Sequence, residues 1–145
     1  MSIIKENHLD PYVILHGRQA GQMLDLLFEL CDFGIGSLGR HRSGITNIKT
    51  LKNREYAARG IPFIYSEIDE DFENMPYIMK IPANEEAVDI KQILNFYNQL
   101  HITPLEIRNS IRHLSWNNQM KKVLDEMQKK DKINPNNNNI ANFAT

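Results

Sequence analysis

The sequence predicts an α/β domain: a mainly parallel sheet with flanking helices. Short apolar runs of strand-forming residues alternate along the chain with longer segments that have helical spacing, which is the order typical of that class. The chain has 145 residues, 41% of them hydrophobic and 24% charged, a composition ordinary for a globular domain with a real core. The formal net charge of −1 gives no general electrostatic reason to expect nucleic acid as a partner.

Each element is predicted from its own local pattern. Apolar residues recur every three or four positions in the predicted helices and form short continuous or alternating runs in the predicted strands. The second strand is apolar and glycine-rich, so burial on both of its faces is expected. The predicted strands are 12–17, 32–38, 63–65 and 77–82, and the predicted helices are 21–31, the segment ending at residue 59, 85–100, and a stretch from 103 with a break near Ser115.

Composition divides the chain into three parts. Residues 1–11 are polar and are predicted to be a lead-in, and residues 12–128 hold the predicted domain. Residues 129–145 begin with a charge cluster and continue into an asparagine run. This segment offers no apolar face to bury, and it is predicted to be a disordered tail.

Several classes of site and location are disfavoured. A single cysteine, Cys31, allows neither an internal disulfide nor a cysteine-based zinc site. No run reaches the roughly 18 apolar residues of a membrane span, and the charged N-terminus is unlike a signal peptide. We therefore expect no transmembrane segment, no metal and a cytoplasmic location. The acidic stretch 67–73 lacks the glycine of a calcium loop and is predicted to be a solvated loop.

A basic loop precedes the third predicted helix. Residues 39–47 contain Arg40, His41 and Arg42, and Thr46 or Asn47 is expected to cap the helix that follows. Arginine side chains and free backbone N–H groups at a helix start favour phosphate. A solvated basic loop without a ligand explains the same composition equally well, and both interpretations stay open.

The third helix is predicted to stop at Gly60, because glycine takes the left-handed cap conformation and Pro62 forbids continuation. Helical spacing from Ile48 places Glu55 on the face that packs against the core. A carboxylate there needs a partner. Lys52 and Arg59 lie within reach on the same helix, and a ligand is the alternative partner.

The segment Glu-Tyr-Ala-Ala-Arg-Gly-Ile-Pro-Phe-Ile, residues 55–64, resembles the donor-binding motif of GT-B glycosyltransferases of the group 1 type. The resemblance implies that Glu55 holds the ribose of a nucleotide-sugar donor and that Lys52 contacts its diphosphate. Asn47 stands eight positions before Glu55, where many members of that family carry an acidic residue that meets the donor sugar. The loop after the second strand adds Ser37 and Arg42 to the candidate nucleotide-sugar-binding residues.

The resemblance extends over residues 13–127 and includes a Ser-Trp pair at residue 115 that is similar to the start of the closing helix. It implies the later part of a Rossmann-like C-terminal domain. The implied function is transfer of a sugar from a nucleotide-diphosphate donor to a glycan or lipid-linked acceptor, with no metal or other cofactor. The resemblance also implies a separate acceptor-binding N-terminal domain, which residues 1–145 do not include, so this chain by itself is expected to show little or no transfer. The alternative is a non-catalytic α/β module that binds nucleotides or other proteins.

Overall fold

The computed structural model of the chain describes residues 3–133. The chain divides into two compact units at the junction of Asp32 and Phe33, whereas the sequence predicted a domain starting at residue 12. The first unit contains α1 (Ile3–Glu6) and α2 (Gly21–Glu29), of which α2 was predicted. Within residues 3–133 no helix is both long enough and apolar enough to cross a membrane.

The predicted strand at residues 12–17 is wrong, because that segment is not part of any strand. The N–H groups of Tyr12 and Val13 both donate to the carbonyl of Leu9 at 2.9 Å, in a turn. Tyr12, Ile14 and Leu15 are largely exposed. A run of strand-forming residues without a neighbouring strand gains no ladder of hydrogen bonds, and local turn bonds replace it.

The second unit contains three parallel strands in the order β1-β2-β3: β1 (Gly34–Ile35), β2 (Phe63–Tyr65) and β3 (Ile78–Lys80). The predicted α/β class with a parallel sheet is confirmed at this level. All three residues of β2 are buried, which is typical of a short continuous apolar run. The two-sided burial predicted for the second strand is wrong, since β1 is an edge strand and Ile35 is 53% exposed.

The helices of the second unit follow the sequence order that was predicted. They are α3 (Leu51–Arg59), α4 (Ile90–Asn98), α5 (Pro104–Ser110) and α6 (Trp116–Ile133), with short 3₁₀ helices at Arg40–Ser43 and Arg112–Leu114. The second 3₁₀ helix and α6 meet at Ser115, where the break was predicted. Helix α6 runs to Ile133, five residues into the predicted tail, and the rest of that tail lies outside the described residues.

Both ends of α3 are set by local chemistry. Thr50, not Thr46 or Asn47, is the N-cap, and its side chain accepts a hydrogen bond from the N–H of Asn53. At the other end Gly60 has φ 77° and ψ 25°, so the predicted left-handed cap is confirmed.

The later start of α3 changes which face is buried. Ile48 lies before the helix and outside it, so it does not set the phase of the helical stripe. The buried residues of α3 are Asn53 and Ala57, while Leu51 is 84% exposed and Glu55 is also exposed. The prediction that Glu55 lies on the packing face is therefore wrong.

An aromatic cluster forms the core around β2. Phe63 is fully buried, and its ring centroid lies 5.5 Å from that of Phe72 and 6.3 Å from that of Tyr77. Helix α5 contributes Ile107 to the same cluster. Burying such side chains removes about 1.5–3 kcal/mol of unfavourable hydration each, which holds the strands and fixes where their carboxyl ends lie.

Candidate functional site

The carboxyl ends of the three strands open onto the segments that follow them in sequence. In parallel sheets ligands collect at this edge. After β1 the carbonyl of Ser37 accepts hydrogen bonds from the N–H and the Oγ of Ser66, at 3.0 and 3.2 Å. Ser66 directly follows β2, so the candidate residue Ser37 joins the first two connecting segments through its backbone.

Lys52 reaches the end of β1 from the first turn of α3. Its Nζ lies 3.5 Å from the carbonyl oxygen of Ile35, the last residue of β1. The hydroxyl of Tyr56 donates to the same oxygen at 3.2 Å. A flexible cation is thus held at the carboxyl end of β1, and Lys52 itself remains exposed.

Glu55 lies one turn further along α3. Its Oε1 accepts a hydrogen bond from Nε of Arg59 at 2.6 Å, and its side chain is 46% exposed. The predicted ion pair with Arg59 is confirmed, whereas Lys52 bonds to the backbone instead. An exposed pair four residues apart contributes about 0.3–0.5 kcal/mol, so Glu55 needs no further partner for the fold.

Asn47 is exposed beside the segment that follows β2. Its side-chain Nδ2 contacts Oγ1 of Thr46 at 3.2 Å, and its backbone forms an isolated parallel bridge with Ile68. This bridge continues the pairing of the connecting segments beyond the sheet. Asn47 therefore lies at the same edge as the other candidates, with its amide at the surface.

Arg42 lies in the first 3₁₀ helix, and its guanidinium already binds an anion, the carboxylate of Glu85. Arg42 Nε donates to Glu85 Oε1 at 2.8 Å, and the second nitrogen Nη2 donates to Oε2. Nε2 of His41 lies 2.9 Å from Glu85 Oε1. The basic loop is thus neither a bare solvated loop nor an open phosphate site. Glu85 is 43 residues away in sequence, and no periodic pattern indicates the pairing.

A pocket of about 310 Å³ adjoins this ion pair. It lies between the segment after β1 and the segment after β3, at the carboxyl edge of the sheet. Its lining mixes charged, polar and apolar side chains: Leu38, Gly39, His41, Arg42, Ile81, Pro82, Asn84, Glu85, Glu86 and Val88.

The ion pair with Arg42 and His41 should lower the pKa of the Glu85 carboxyl group. Hydrogen bonds from Arg42 first, and then from His41, lower the pKa of Glu85 from 4.5 to about 2. A folded-state pKa below the unfolded one means that the pair's contribution is complete above about pH 4.5 and is lost as the pH falls toward 2. In an NMR titration of side-chain carboxyl carbons we expect Glu85 to titrate below pH 4.5, by less than the full shift because water screens this exposed pair.

The variant Arg42→Ala checks the cause of that shift. Without the guanidinium only His41 remains to favour the ionised carboxylate, so the Glu85 midpoint should move up toward 4.5. A wild-type Glu85 that titrates at 4.5 would mean that the pair does not form in solution.

The acidic segment after β2 contains two buried carboxylates, so its predicted solvation is wrong at these positions. Asp69 is fully buried and Glu67 is 2% exposed. Asp69 accepts from Nδ2 of Asn53 at 3.1 Å and from both terminal nitrogens of Arg54 at 3.2 and 3.3 Å. Arg54 also pairs with Asp71. These bonds tie the first turn of α3 to the segment after β2.

Glu67 fixes the start of the first 3₁₀ helix. Its Oε1 accepts a hydrogen bond from the N–H of Arg40 at 2.7 Å. Its Oε2 is buried without a hydrogen-bond partner, as is Nδ1 of His41. Across residues 3–129 no group of three or more histidine, cysteine, aspartate or glutamate side chains is arranged to hold a metal ion.

Hydrogen bonds among three side chains link β2 to β3. The hydroxyl of Tyr65 and Nζ of Lys80 both donate to Oε1 of Glu73, each at 2.9 Å. Partial burial raises the pKa of Glu73, but these hydrogen bonds outweigh it and hold that pKa below its usual value. Burial, reinforced by the bond to Glu73, raises the pKa of Tyr65 far above its usual range. Tyr65 thus donates a hydrogen bond that joins β2 to the segment that follows it.

Comparison of the chain with models of known protein families, with curated proteins and with solved structures found no match.

Proposed function

We propose that this chain is the donor-binding portion of a glycosyltransferase, which transfers a sugar from a nucleotide-diphosphate donor. The observation that carries the proposal is the position of Lys52, an exposed cation held at the carboxyl end of β1. In a parallel α/β sheet this is the edge at which nucleotides bind. In the proposal the three strands belong to a larger Rossmann-like sheet of the GT-B type.

Lys52 is assigned to the diphosphate. Its bond to the backbone carbonyl of Ile35 is 3.5 Å long, at the limit of a hydrogen bond, so the ammonium gives up little when it turns toward a phosphate. Phosphate offers Lys52 a full negative charge and a charge-assisted hydrogen bond.

Glu55 is assigned to the ribose. Its side chain is 46% exposed, so a ligand can reach it. Arg59 bonds to Oε1, and a carboxylate has further lone pairs on both oxygens with which to accept bonds from two adjacent hydroxyls. The proposed role of Glu55 therefore depends on its exposure and not on burial of its carboxylate.

The chemistry that follows is stabilisation of a leaving group. When the bond between sugar and diphosphate breaks, negative charge accumulates on the diphosphate, and cations beside it lower the barrier. Lys52 supplies one such cation. Ser37 and Asn47 lie at the same edge of the sheet, where polar groups can meet the sugar. The acceptor, a glycan or a lipid-linked glycan, would bind to a separate N-terminal domain.

The test is calorimetric titration with uridine and guanosine diphosphates. We expect Glu55→Gln to weaken binding by about tenfold or more, because a hydrogen bond to a charged group is worth about 1.5–3 kcal/mol. Unfolding free energy should change by less than about 0.5 kcal/mol, since the ion pair is exposed. Lys52→Ala should weaken the binding of the nucleoside diphosphates more than that of the bare nucleosides, because a nucleoside presents no negative charge to Lys52.

Glu126→Gln is the matched control. Glu126 is also a helix-surface carboxylate in an ion pair, with Lys129 at 2.6 Å, but it lies on α6. Its removal should leave nucleotide affinity unchanged. Equal affinities in wild type, Glu55→Gln and Lys52→Ala would defeat the proposal. If the chain binds nucleoside diphosphates through Lys52 and Glu55 but no sugar is transferred even when an acceptor domain is supplied, the chain is better explained as a non-catalytic nucleotide-binding module.

A further inference from the structure

The contacts of Glu85 are those of a bound anion. The guanidinium of Arg42 donates from two nitrogens to the two carboxylate oxygens, and His41 contacts one of those oxygens. Bidentate donation from an arginine is the geometry with which proteins bind carboxylates and phosphates alike. His41 and Arg42 thus form a small anion-binding site, and a side chain of the same protein occupies it.

The occupant is held loosely. The side chains of Arg42 and Glu85 are 70% and 61% exposed, so water solvates both when they separate. Exposed ion pairs contribute little net free energy, and an anion from solution competes with them readily. The carboxylate carries one negative charge, whereas a diphosphate brings more charge and more acceptor oxygens to the same donors.

The ion pair also bridges two segments. Arg42 lies after β1, Glu85 lies after β3, and both line the same pocket at the carboxyl edge of the sheet. Separation of the pair would free both guanidinium nitrogens beside a volume of about 310 Å³. That edge is where parallel sheets bind their ligands.

We propose that His41 and Arg42 form an anion-binding site for a phosphate-bearing ligand, and that Glu85 occupies this site until the ligand displaces it. The identification of the anion as the diphosphate of a nucleotide rests on the proposed function, but the site itself does not. Glu85 acts as an internal competitor, which weakens anion binding because it must leave Arg42 before the ligand can bind.

The experiment measures the affinity of inorganic pyrophosphate for the wild type and for variants, at one ionic strength. Glu85→Gln removes the competing charge with almost no change in shape, and affinity should rise by at least about threefold, as displacement of an exposed ion pair no longer opposes binding. Glu86→Gln is the matched control. Glu86 lines the same pocket, and its substitution also removes one negative charge. Because the described residues include no ion pair with Glu86, the affinity for pyrophosphate should change by less than about twofold.

The double variant Arg42→Gln/Glu85→Gln should lose the gain, because the guanidinium that donates to the anion from two nitrogens is gone. Equal effects of Glu85→Gln and Glu86→Gln would reduce the result to general electrostatics and overturn the proposal. So would a weaker affinity in Glu85→Gln, or no binding of pyrophosphate to either protein. If pyrophosphate behaves as expected while Lys52 and Glu55 prove irrelevant to nucleoside diphosphates, only the nucleotide assignment fails.

Discussion

Replacing Asp69 with alanine is expected to destabilise the protein by about 3 kcal/mol, the lower end of the cost of breaking a buried ion pair. Asp69 is fully buried, and its carboxylate accepts from Asn53 and from two nitrogens of Arg54. Without it the buried amide of Asn53 has no acceptor. Arg54 keeps its pair with Asp71, which is why the loss stays at the lower end.

The conservative variant Asp69→Asn separates charge from hydrogen bonding. It keeps one acceptor oxygen for Asn53 or Arg54 but loses the negative charge. The protein should therefore lose less unfolding free energy than it does with Asp69→Ala. Urea unfolding followed by circular dichroism gives all three free energies of unfolding.

Glu70→Ala is the control from the adjacent position. Glu70 is 75% exposed on its side chain and lies 3.8 Å from Lys49, so its removal should cost less than about 0.5 kcal/mol. If Asp69→Ala cost no more than Glu70→Ala, the network would not stabilise the fold, and α3 would have to be held by its apolar contacts alone.

The elements that could be predicted from sequence are those whose signals are local. Gly60 ends α3 in the predicted cap conformation. The predicted stretch from residue 103 begins as helix α5 with a capping box, in which Thr103 and Glu106 form both hydrogen bonds. The short apolar run of β2 is typical of the buried strand that it forms. Each of these signals lies within a few residues of the feature that it specifies, so no knowledge of distant contacts was needed.

The buried carboxylate was assigned to the wrong residue because the start of α3 was misplaced. A helix that begins at Leu51 buries Asn53 and Ala57, whereas a stripe counted from Ile48 passes through Glu55. Among the residues whose side chains are described, the buried carboxylates are those of Glu67 and Asp69, in a segment whose acidic composition predicted exposure. Hydrogen bonds from Arg40 to Glu67 and from Asn53 and Arg54 to Asp69 offset the cost of burial. These partners lie 15 or more residues away in sequence.

Long-range pairing also limited what could be predicted of the candidate site. Lys52 and Glu55 were chosen from one contiguous motif, and both lie on the exposed part of α3. The strongest contact of Arg42 is with Glu85, which lies in a segment with no motif. Two oppositely charged residues 43 positions apart are indistinguishable in sequence from the many charged residues that never meet.

Gly60→Ala is expected to destabilise the protein by more than about 2 kcal/mol, for two separate reasons. The backbone φ of 77° at Gly60 is left-handed, which costs a residue with a Cβ about 1–2 kcal/mol. A Cβ at Gly60 would also lie 2.5 Å from the carbonyl oxygen of Pro104 and 2.7 Å from its Cβ. Helix α5 begins at Pro104, so the helix start itself would have to move, and overpacking of this kind typically costs 1–3 kcal/mol.

Gly44→Ala separates the cost of the left-handed backbone from the cost of the steric clash. Gly44 has a φ of 68°, and an added Cβ there meets nothing within 4 Å, so only the conformational cost of about 1–2 kcal/mol applies. The difference between the two variants in urea unfolding measures the close packing of α5 on the end of α3. A Gly60→Ala variant that loses no more stability than Gly44→Ala would show that α5 shifts at no cost. The close approach of Pro104 to Gly60 would then contribute nothing to holding Ile107 in the aromatic core.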